Sequence, residues 1–235
     1  MRVVAALGAA LIGSGSGNGK FDFVAKWRGD HGTAVGLCTA SLIAKEWVIT
    51  AGHCATRMLK HEPVRVTVEF AEGGAVKRGV THCIKCDEGC GLDVAICHLT
   101  LPVGHINPVR LNSDHYTIDG DHGRCVTCVG TYDGIHATGP KKLEYEANGA
   151  HLYVSNAGGS GMHAGDSGGA WVIESRNATT NTSFYVLAGV IHGGQGSGAH
   201  KRGVAGQLGY PMLRSFIAKH VNSTTWVSAN ALKPL

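Results

Sequence analysis

The chain has 235 residues, 43% of them hydrophobic, which is enough for one large domain or two small ones with a sizeable core. Its net charge of +4 is mild and its Lys and Arg residues are scattered singly, which gives nucleic-acid binding no support. No long apolar run is present, so we expect no membrane-spanning segment.

The first segment of the chain, residues 1–20, is predicted to be a leader. Its run MRVVAALGAALIG has one positive charge, an apolar stretch and small residues, a pattern typical of signal peptides. The alternative interpretation is a first strand or an ordinary buried segment.

Cysteines and glycosylation sequons both favour secretion. Eight cysteines in a chain of this size indicate disulfides and an oxidising compartment. Asn-X-Ser/Thr sequons stand at Asn177, Asn181 and Asn222. We therefore expect a secreted glycoprotein.

Short strands are predicted along most of the chain, followed by one helix. The apolar runs EWVITA, RVTVEF, DVAICHL, GAWVI and YVLAGVI are separated by Gly, Asn and Asp clusters. In PMLRSFIAKHV, Pro211 stands at the start of a helical pattern whose apolar residues share one face: Leu213, Phe216, Ile217 and Val221. The fold class is therefore all-β with a C-terminal helix.

The run EWVITAGHC predicts a strand that leads into a turn carrying His53. Cys54 follows directly, and Cys38 lies sixteen residues earlier. A disulfide between the two cysteines could close adjacent strands and hold the turn, and a loop of this length contributes about 3 kcal/mol in the chain-entropy model.

Two further runs carry residue types used in nucleophilic catalysis. Asp93 stands at the start of the strand in CGLDVAICHL, where it is either a solvated strand end or a carboxylate that accepts a histidine Nδ1 proton. Ser167 stands in HAGDSGGAW, which is either a flexible turn or a backbone bent to present a nucleophile.

The motifs TAGHC, GLDVAI and GDSGGA, in this order, resemble those of the chymotrypsin-like serine proteases. The resemblance extends over residues 23–221. CTASLIAKEWVITAGHC resembles the family's first-barrel hairpin with its Cys38–Cys54 pair, INPVRLN its crossing between barrels, and LAGVIHGG its substrate-binding strand.

The resemblance implies two perpendicular six-stranded antiparallel β-barrels with a C-terminal helix. Residues 21–117 would form the N-terminal barrel, and residues 118–235 the C-terminal barrel and the helix. The active site would lie in the cleft between the barrels.

The resemblance also implies a serine endopeptidase that works through an acyl-enzyme intermediate. Ser167 would be the nucleophile, His53 the general base and then acid, and Asp93 the residue that orients His53. The backbone N–H groups of Gly165 and Ser167 would form the oxyanion hole.

Asp166 is implied to turn away from the substrate and to bury itself on a cation. In the family this cation is usually an amino terminus freed by cleavage in an Ile-Val-Gly-Gly sequence, which the chain lacks. Leu11 or Ile12 is one equivalent, the RVVAA run at residues 2–6 is another, and an internal cation is a third.

The specificity pocket is predicted to be neutral and apolar. Gly161 takes the place of the pocket floor and Met162 lines its base, while three glycines form the substrate-binding strand and the walls: Gly193, Gly194 and Gly203. We expect cleavage after aromatic or large aliphatic residues.

His192 offers an alternative specificity. GVIHGG resembles the strand of glutamyl endopeptidases whose imidazole binds the substrate carboxylate, but His192 falls one residue later than theirs. At that position it would contact the catalytic Asp93, and we favour this role over glutamate recognition.

Six cysteines remain, in CIKCDEGC, in DVAICHL and in CVTC. We expect disulfides among them, with zinc ligation as the alternative. Fifteen pairings are possible and sequence does not choose among them. The usual partner of Cys125 is replaced by Ile173, and His163 replaces the family's cysteine beside the pocket.

We expect polypeptide substrates and protein protease inhibitors as partners, a monomeric state, and no cofactor, metal, nucleic acid or membrane. The alternative from another functional class is a non-catalytic binding protein on a protease fold.

Overall fold

The computed structural model describes residues 20–30, 35–59, 66–70, 76–117, 125–131, 135–138, 140–145, 149–155, 165–177, 180–195, 202–230 and 232–234. The expected leader, apart from Lys20, lies outside the described residues. The expected pocket residues Gly161 and Met162 also lie outside them.

The first half of the chain forms a closed antiparallel barrel of six strands in the order β1-β2-β3-β6-β5-β4. Its strands are β1 Val24–Asp30, β2 Val35–Ala44, β3 Trp47–Ala51, β4 Val66–Phe70, β5 Val76–Lys85 and β6 Val94–Leu99. Burial alternates along β4, so that every second side chain enters the barrel interior. Two short helices, α1 Gly52–Leu59 and α2 Asp87–Cys90, interrupt the strands.

The second half also contains a closed barrel of six strands, in the order β13-β14-β11-β10-β8-β12, with β12 pairing back onto β13. These strands are β8 Cys125–Gly130, β10 Lys141–Tyr145, β11 His151–Ser155, β12 Ala170–Arg176, β13 Ser183–Gln195 and β14 Arg202–Gln207. Four short strands extend the sheet: β7 Arg110–Asn112, β9 His136–Ala137, β15 Trp226–Val227 and β16 Lys233–Pro234.

The predicted C-terminal helix is confirmed as α3, Pro211–His220. Leu213 and Ile217 are buried, and the Val221 N–H caps the last turn by donating to the Ile217 carbonyl at 2.8 Å. The all-β class with two six-stranded barrels is likewise confirmed. The predicted domain boundary at residues 117 and 118 stays a prediction.

A shared hydrophobic core joins the two barrels. Val172 and Leu187 of the second barrel belong to the same buried cluster as Ala40 and Ile49 of the first. A smaller cluster around Trp171 fills the second barrel. The contacts of β2 with β12 and of β3 with β13 bring the strand pair that leads to His53 against the strand pair that follows Ser167.

Three disulfides form in the described part of the chain: Cys38–Cys54, Cys83–Cys97 and Cys86–Cys90. Cys125 and Cys128 take part in none of these three disulfides. The expectation that all six remaining cysteines form disulfides is therefore wrong for these two. Both lie on β8 three residues apart, so one side chain is exposed and the other buried. Disulfide sulfurs are not thiolates, so CIKCDEGC offers no zinc ligand set.

Among the described residues, no helix has the length and the apolar character that crossing a bilayer requires.

Candidate active site

His53 and Asp93 lie side by side because the strands next to them are hydrogen-bonded neighbours. β3 pairs with β6 so that Ala51 lies opposite Val94, while His53 follows β3 and Asp93 precedes β6. His53 Nδ1 lies 2.6 Å from Asp93 Oδ2, and the His53 backbone N–H donates to Asp93 Oδ1 at 2.7 Å. The carboxylate therefore holds both the ring and the main chain of His53, with Nε2 directed away from it.

Gly52 makes this close approach possible. Its N–H donates to the Asp93 backbone carbonyl at 3.0 Å. A Cβ at this position would lie 2.8 Å from Asp93 Oδ1, closer than ordinary van der Waals contact allows. A larger residue at position 52 would push the carboxylate away from His53.

The surroundings of Asp93 favour its ionised form. Burial alone would raise the pKa of this carboxyl, but the hydrogen bonds from His53 and the electrostatic interaction with His53 lower the pKa below its ordinary value. His192 lowers it further. Asp93 can therefore remain a carboxylate while it accepts a hydrogen bond from the Nδ1–H group of His53.

Ser167 lies in a tight turn before β12 whose carbonyls are anchored on the first barrel. The turn has positive φ angles at Gly165, 105°, and at Gly168, 83°, which glycine adopts readily. The Thr39 N–H donates to the Ser167 carbonyl at 2.8 Å, and Thr39 Oγ1 donates to the Gly165 carbonyl at 3.0 Å. The Gly168 N–H donates to the Ile191 carbonyl at 2.6 Å.

The Cys38–Cys54 disulfide lies between this turn and His53. A ring nitrogen of His53 and the two sulfurs lie within 4.8 Å of one another. The Ser167 carbonyl oxygen is 3.7 Å from Cys54 Sγ. The structure thus brings His53, Asp93 and the Ser167 turn together at the junction of the two barrels.

Buried threonines at this junction form hydrogen bonds that were not predicted from the sequence. Thr39 and Thr131 share a hydrogen bond between their hydroxyls at 2.9 Å, and Thr50 Oγ1 donates to the Thr39 carbonyl at 2.7 Å. These pairs join positions up to 92 residues apart, so no local pattern marks them. They tie β2 and β3 to the second barrel beneath the Ser167 turn.

Asp166 is buried beside the nucleophile candidate, with 4% of its surface exposed. Its Oδ1 lies 2.9 Å from Nε2 of His136 on β9. A histidine within the chain therefore contacts this carboxylate, whereas the residues considered as its amino-terminal partner lie outside the described residues. His136 is one of fourteen histidines, and nothing in its local sequence singles it out.

Comparison with protein families agrees with this arrangement of strands and side chains. A family model described as Trypsin matches residues 13–210, most of the chain. The chain belongs to the trypsin family. No curated protein matches it. Membership supports a trypsin-like serine protease in general terms, and proteases of the trypsin family are commonly secreted.

His192 of this trypsin-family protein lies near the catalytic candidates but is not hydrogen-bonded through Nε2 to any described residue. It sits at a bulge in β13, and its ring centroid lies 5.3 Å from that of His151. Burial lowers the pKa of His192 below its ordinary value of 6.5, and the charge on His151 lowers it further. Asp93 acts in the opposite direction. The predicted contact of His192 with Asp93 stays a prediction.

Glycines leave space along the expected substrate-binding strand. Gly194 of β13 lies directly opposite Gly203 of β14 in the sheet register. A Cβ added at Gly193 would meet no atom within 4 Å. Beside the His53–Asp93 pair, a cavity of about 360 Å³ is lined by Gly52, His53, Thr56, Lys85, Gly91, Leu92 and Asp93.

Proposed function

We propose that this trypsin-family protein is a secreted serine endopeptidase that uses Ser167, His53 and Asp93. The observation that carries the proposal is the 2.6 Å contact between His53 Nδ1 and an ionised Asp93. This contact leaves Nε2 as the ring atom available to a serine hydroxyl. Anchoring of the Ser167 turn on Thr39, in the strand pair that leads to His53, supports Ser167 as that serine.

In the proposed reaction, His53 Nε2 accepts the proton of the Ser167 hydroxyl as Oγ attacks the peptide carbonyl. The N–H groups of Gly165 and Ser167 stabilise the oxyanion of the tetrahedral intermediate. His53 then donates its proton to the leaving amine, and an acyl-enzyme remains. Water, deprotonated by the same imidazole, then attacks the acyl carbonyl, and His53 returns the proton to Ser167 Oγ as the acyl–Oγ bond breaks.

The proposed specificity is for large apolar or aromatic residues before the cleaved bond. Open space at Gly193 and the facing Gly194 and Gly203 support a wide pocket mouth. The lowered pKa of His192 keeps its imidazole neutral near pH 7, which weakens it as a partner for a glutamate carboxylate. This favours apolar specificity over the glutamate alternative.

Hydrolysis of a peptide library by the wild-type protein and by Ser167→Ala tests the proposal. We expect cleavage by the wild type and almost none by Ser167→Ala, at an unchanged melting temperature. Ser223→Ala is a matched control, because Ser223 is an exposed serine after α3 and its loss should leave the rate unchanged. Undiminished hydrolysis by Ser167→Ala would place the nucleophile elsewhere, and an inactive wild type would favour the non-catalytic alternative.

The same library reports specificity. We expect cleavage after Phe, Tyr, Leu or Met, with Arg and Lys poorer by at least about tenfold, because a cationic side chain would lose its hydration without gaining a partner. In His192→Ala the apolar preference should persist, whereas a glutamate preference that depends on the imidazole would weaken. Efficient cleavage after Arg would contradict both specificities.

Secretion and glycosylation are part of the proposal. The three disulfides in the described residues suit an oxidising compartment. The sequon residues Asn181 and Asn222 are exposed, as glycan attachment requires. We also propose a monomer that acts on polypeptides and is inhibited by proteins that occupy its substrate cleft.

A further inference from the structure

We propose that His136 is a positioning residue for the oxyanion hole, because it holds the Asp166 side chain in its buried position. The inference rests on the proposed peptidase function and adds a residue that the triad does not include. The contact of His136 with Asp166, made within the second barrel, keeps the backbone between Gly165 and Ser167 in its catalytic conformation.

The Asp166 carboxylate is deeply buried at the proposed oxyanion hole. Asp166 lies between the two residues whose N–H groups are proposed to bind the oxyanion, and 6% of its side chain is exposed. A carboxylate this deeply buried is costly unless it is paired and hydrogen-bonded. His136 Nε2 lies 2.9 Å from Oδ1, close enough to pair with the carboxylate, and the histidine side chain is itself only 15% exposed.

The pairing of β8 with β9 leaves space for the side chains of His136 and Asp166. β8 pairs with β9 so that Gly130 lies opposite His136. A Cβ at Gly130 would overlap Asp166 Oδ1, and it would lie 2.6 Å from Asp166 Cγ and 3.0 Å from His136 Nε2. The backbone of Gly130 therefore forms the wall against which His136 and Asp166 are packed.

Hydrogen bonds to its backbone carbonyls already hold the rest of the turn. The Gly165 and Ser167 carbonyls accept hydrogen bonds from Thr39, and the Gly169 N–H donates to the Asp166 carbonyl at 2.8 Å. Release of the Asp166 side chain would let the backbone rotate between these fixed carbonyls. The N–H groups beside Asp166 would then lose their common direction.

Among the described residues, titratable groups on the adjoining strands also lie near the pair. The Cys128 thiol of β8 interacts electrostatically with Asp166, and Lys141 of β10 with Cys128. Burial raises the pKa of Cys128 to about 12, so this thiol stays protonated and neutral. A negative charge from Cys128 therefore does not compete for His136.

Steady-state kinetics of His136→Leu, compared with wild type, test the proposal. We expect kcat to fall by at least about 100-fold, the loss typical of one oxyanion-hole donor, with KM changed by less than about threefold. Affinity for a peptide boronic acid, which places an oxygen in the oxyanion hole, should fall in parallel with kcat. His136→Gln keeps an N–H donor and should recover at least about tenfold of the loss.

Two further variants separate positioning from folding. Gly130→Ala displaces the Asp166 carboxylate while His136 stays intact, so it should reproduce the kinetic loss. His98→Leu, which removes a histidine with 30% of its side chain exposed on β6, should change kcat by less than about threefold. An unchanged kcat in both His136→Leu and Gly130→Ala would overturn the proposal. A raised kcat would do so too, because the contact of His136 with Asp166 would then be inhibitory.

Hydrogen exchange of the peptide that contains residues 165–169 gives a readout independent of catalysis. We expect faster exchange in His136→Leu than in wild type, with exchange in β1–β6 unchanged. Equal exchange in the two proteins would contradict the positioning role even if the proposed peptidase activity were absent. The failure of this inference is thus distinguishable from the failure of the proposed function.

Discussion

Asp93 is the residue on which the orientation of His53 depends. It accepts hydrogen bonds from the ring and from the backbone of His53, at 2.6 and 2.7 Å, so the imidazole is fixed relative to its own main chain. Its lowered pKa follows from the same contacts, which outweigh the effect of burial. The same contacts therefore orient His53 and favour the ionised form of Asp93.

Asp93→Asn should reduce kcat by about 10⁴-fold, by analogy with the aspartate that orients the histidine in serine-protease triads. The amide can donate a hydrogen bond to Nδ1 and would favour the tautomer that leaves Nε2 protonated. Peptide hydrolysis assays on wild type and variant measure the ratio. A loss of less than about tenfold would mean that another residue orients His53.

His192 should make folding stability depend on pH. Its folded pKa lies below 6.5, so the unfolded chain takes up a proton at a higher pH than the folded chain does. The contribution is fully present above pH 6.5 and is lost as the pH falls toward the lowered folded value. Melting temperatures between about pH 8 and pH 5 should fall less steeply in His192→Gln than in wild type. Identical slopes would show that burial does not hold His192 neutral.

At the level of elements, the Ser167 turn depends on glycine where the two barrels meet. Gly168 has a φ of 83°, and a Cβ there would overlap the Thr39 carbonyl and Thr50 Oγ1. Gly168 has a positive φ and contacts β2 and β3 because the turn lies directly on the first barrel. Only a residue without a side chain meets both conditions.

Gly168→Ala should therefore destabilise the protein by at least about 1 kcal/mol, through strain at a positive φ and overlap with the first barrel. Equilibrium unfolding in urea measures the change. Gly104→Ala is the control, since a Cβ at Gly104 would meet no atom within 4 Å. A smaller loss in Gly168→Ala than in Gly104→Ala would contradict this account of the turn.

At the level of the whole molecule, local patterns predicted the elements better than the contacts between them. The apolar runs that end near Ala51 and Leu99 form strands, and the periodic run after Pro211 forms α3. α1 and α2 were not predicted, because helices of eight and four residues are too short for a helical repeat to be recognised in the sequence. The resemblance to a family, rather than periodicity, predicted the two closed barrels.

The candidate site was predictable where it depends on short motifs and was missed where it depends on pairing between distant strands. His53, Asp93 and Ser167 each lie in a recognisable run of residues. The contact of His136 with Asp166 depends on how β8 and β9 pair. The Cys83–Cys97 disulfide likewise follows strand register, since Cys83 lies opposite Cys97 in the barrel.

Labelling with a fluorophosphonate, followed by peptide mass spectrometry, tests the central claim that Ser167 is an activated nucleophile. The account predicts that the native wild-type protein carries one label, on the peptide that contains Ser167. It also predicts no label on Ser167→Ala or on the heat-denatured protein, because activation requires the folded site. A label on a different serine, or none on the folded wild-type protein, would contradict it.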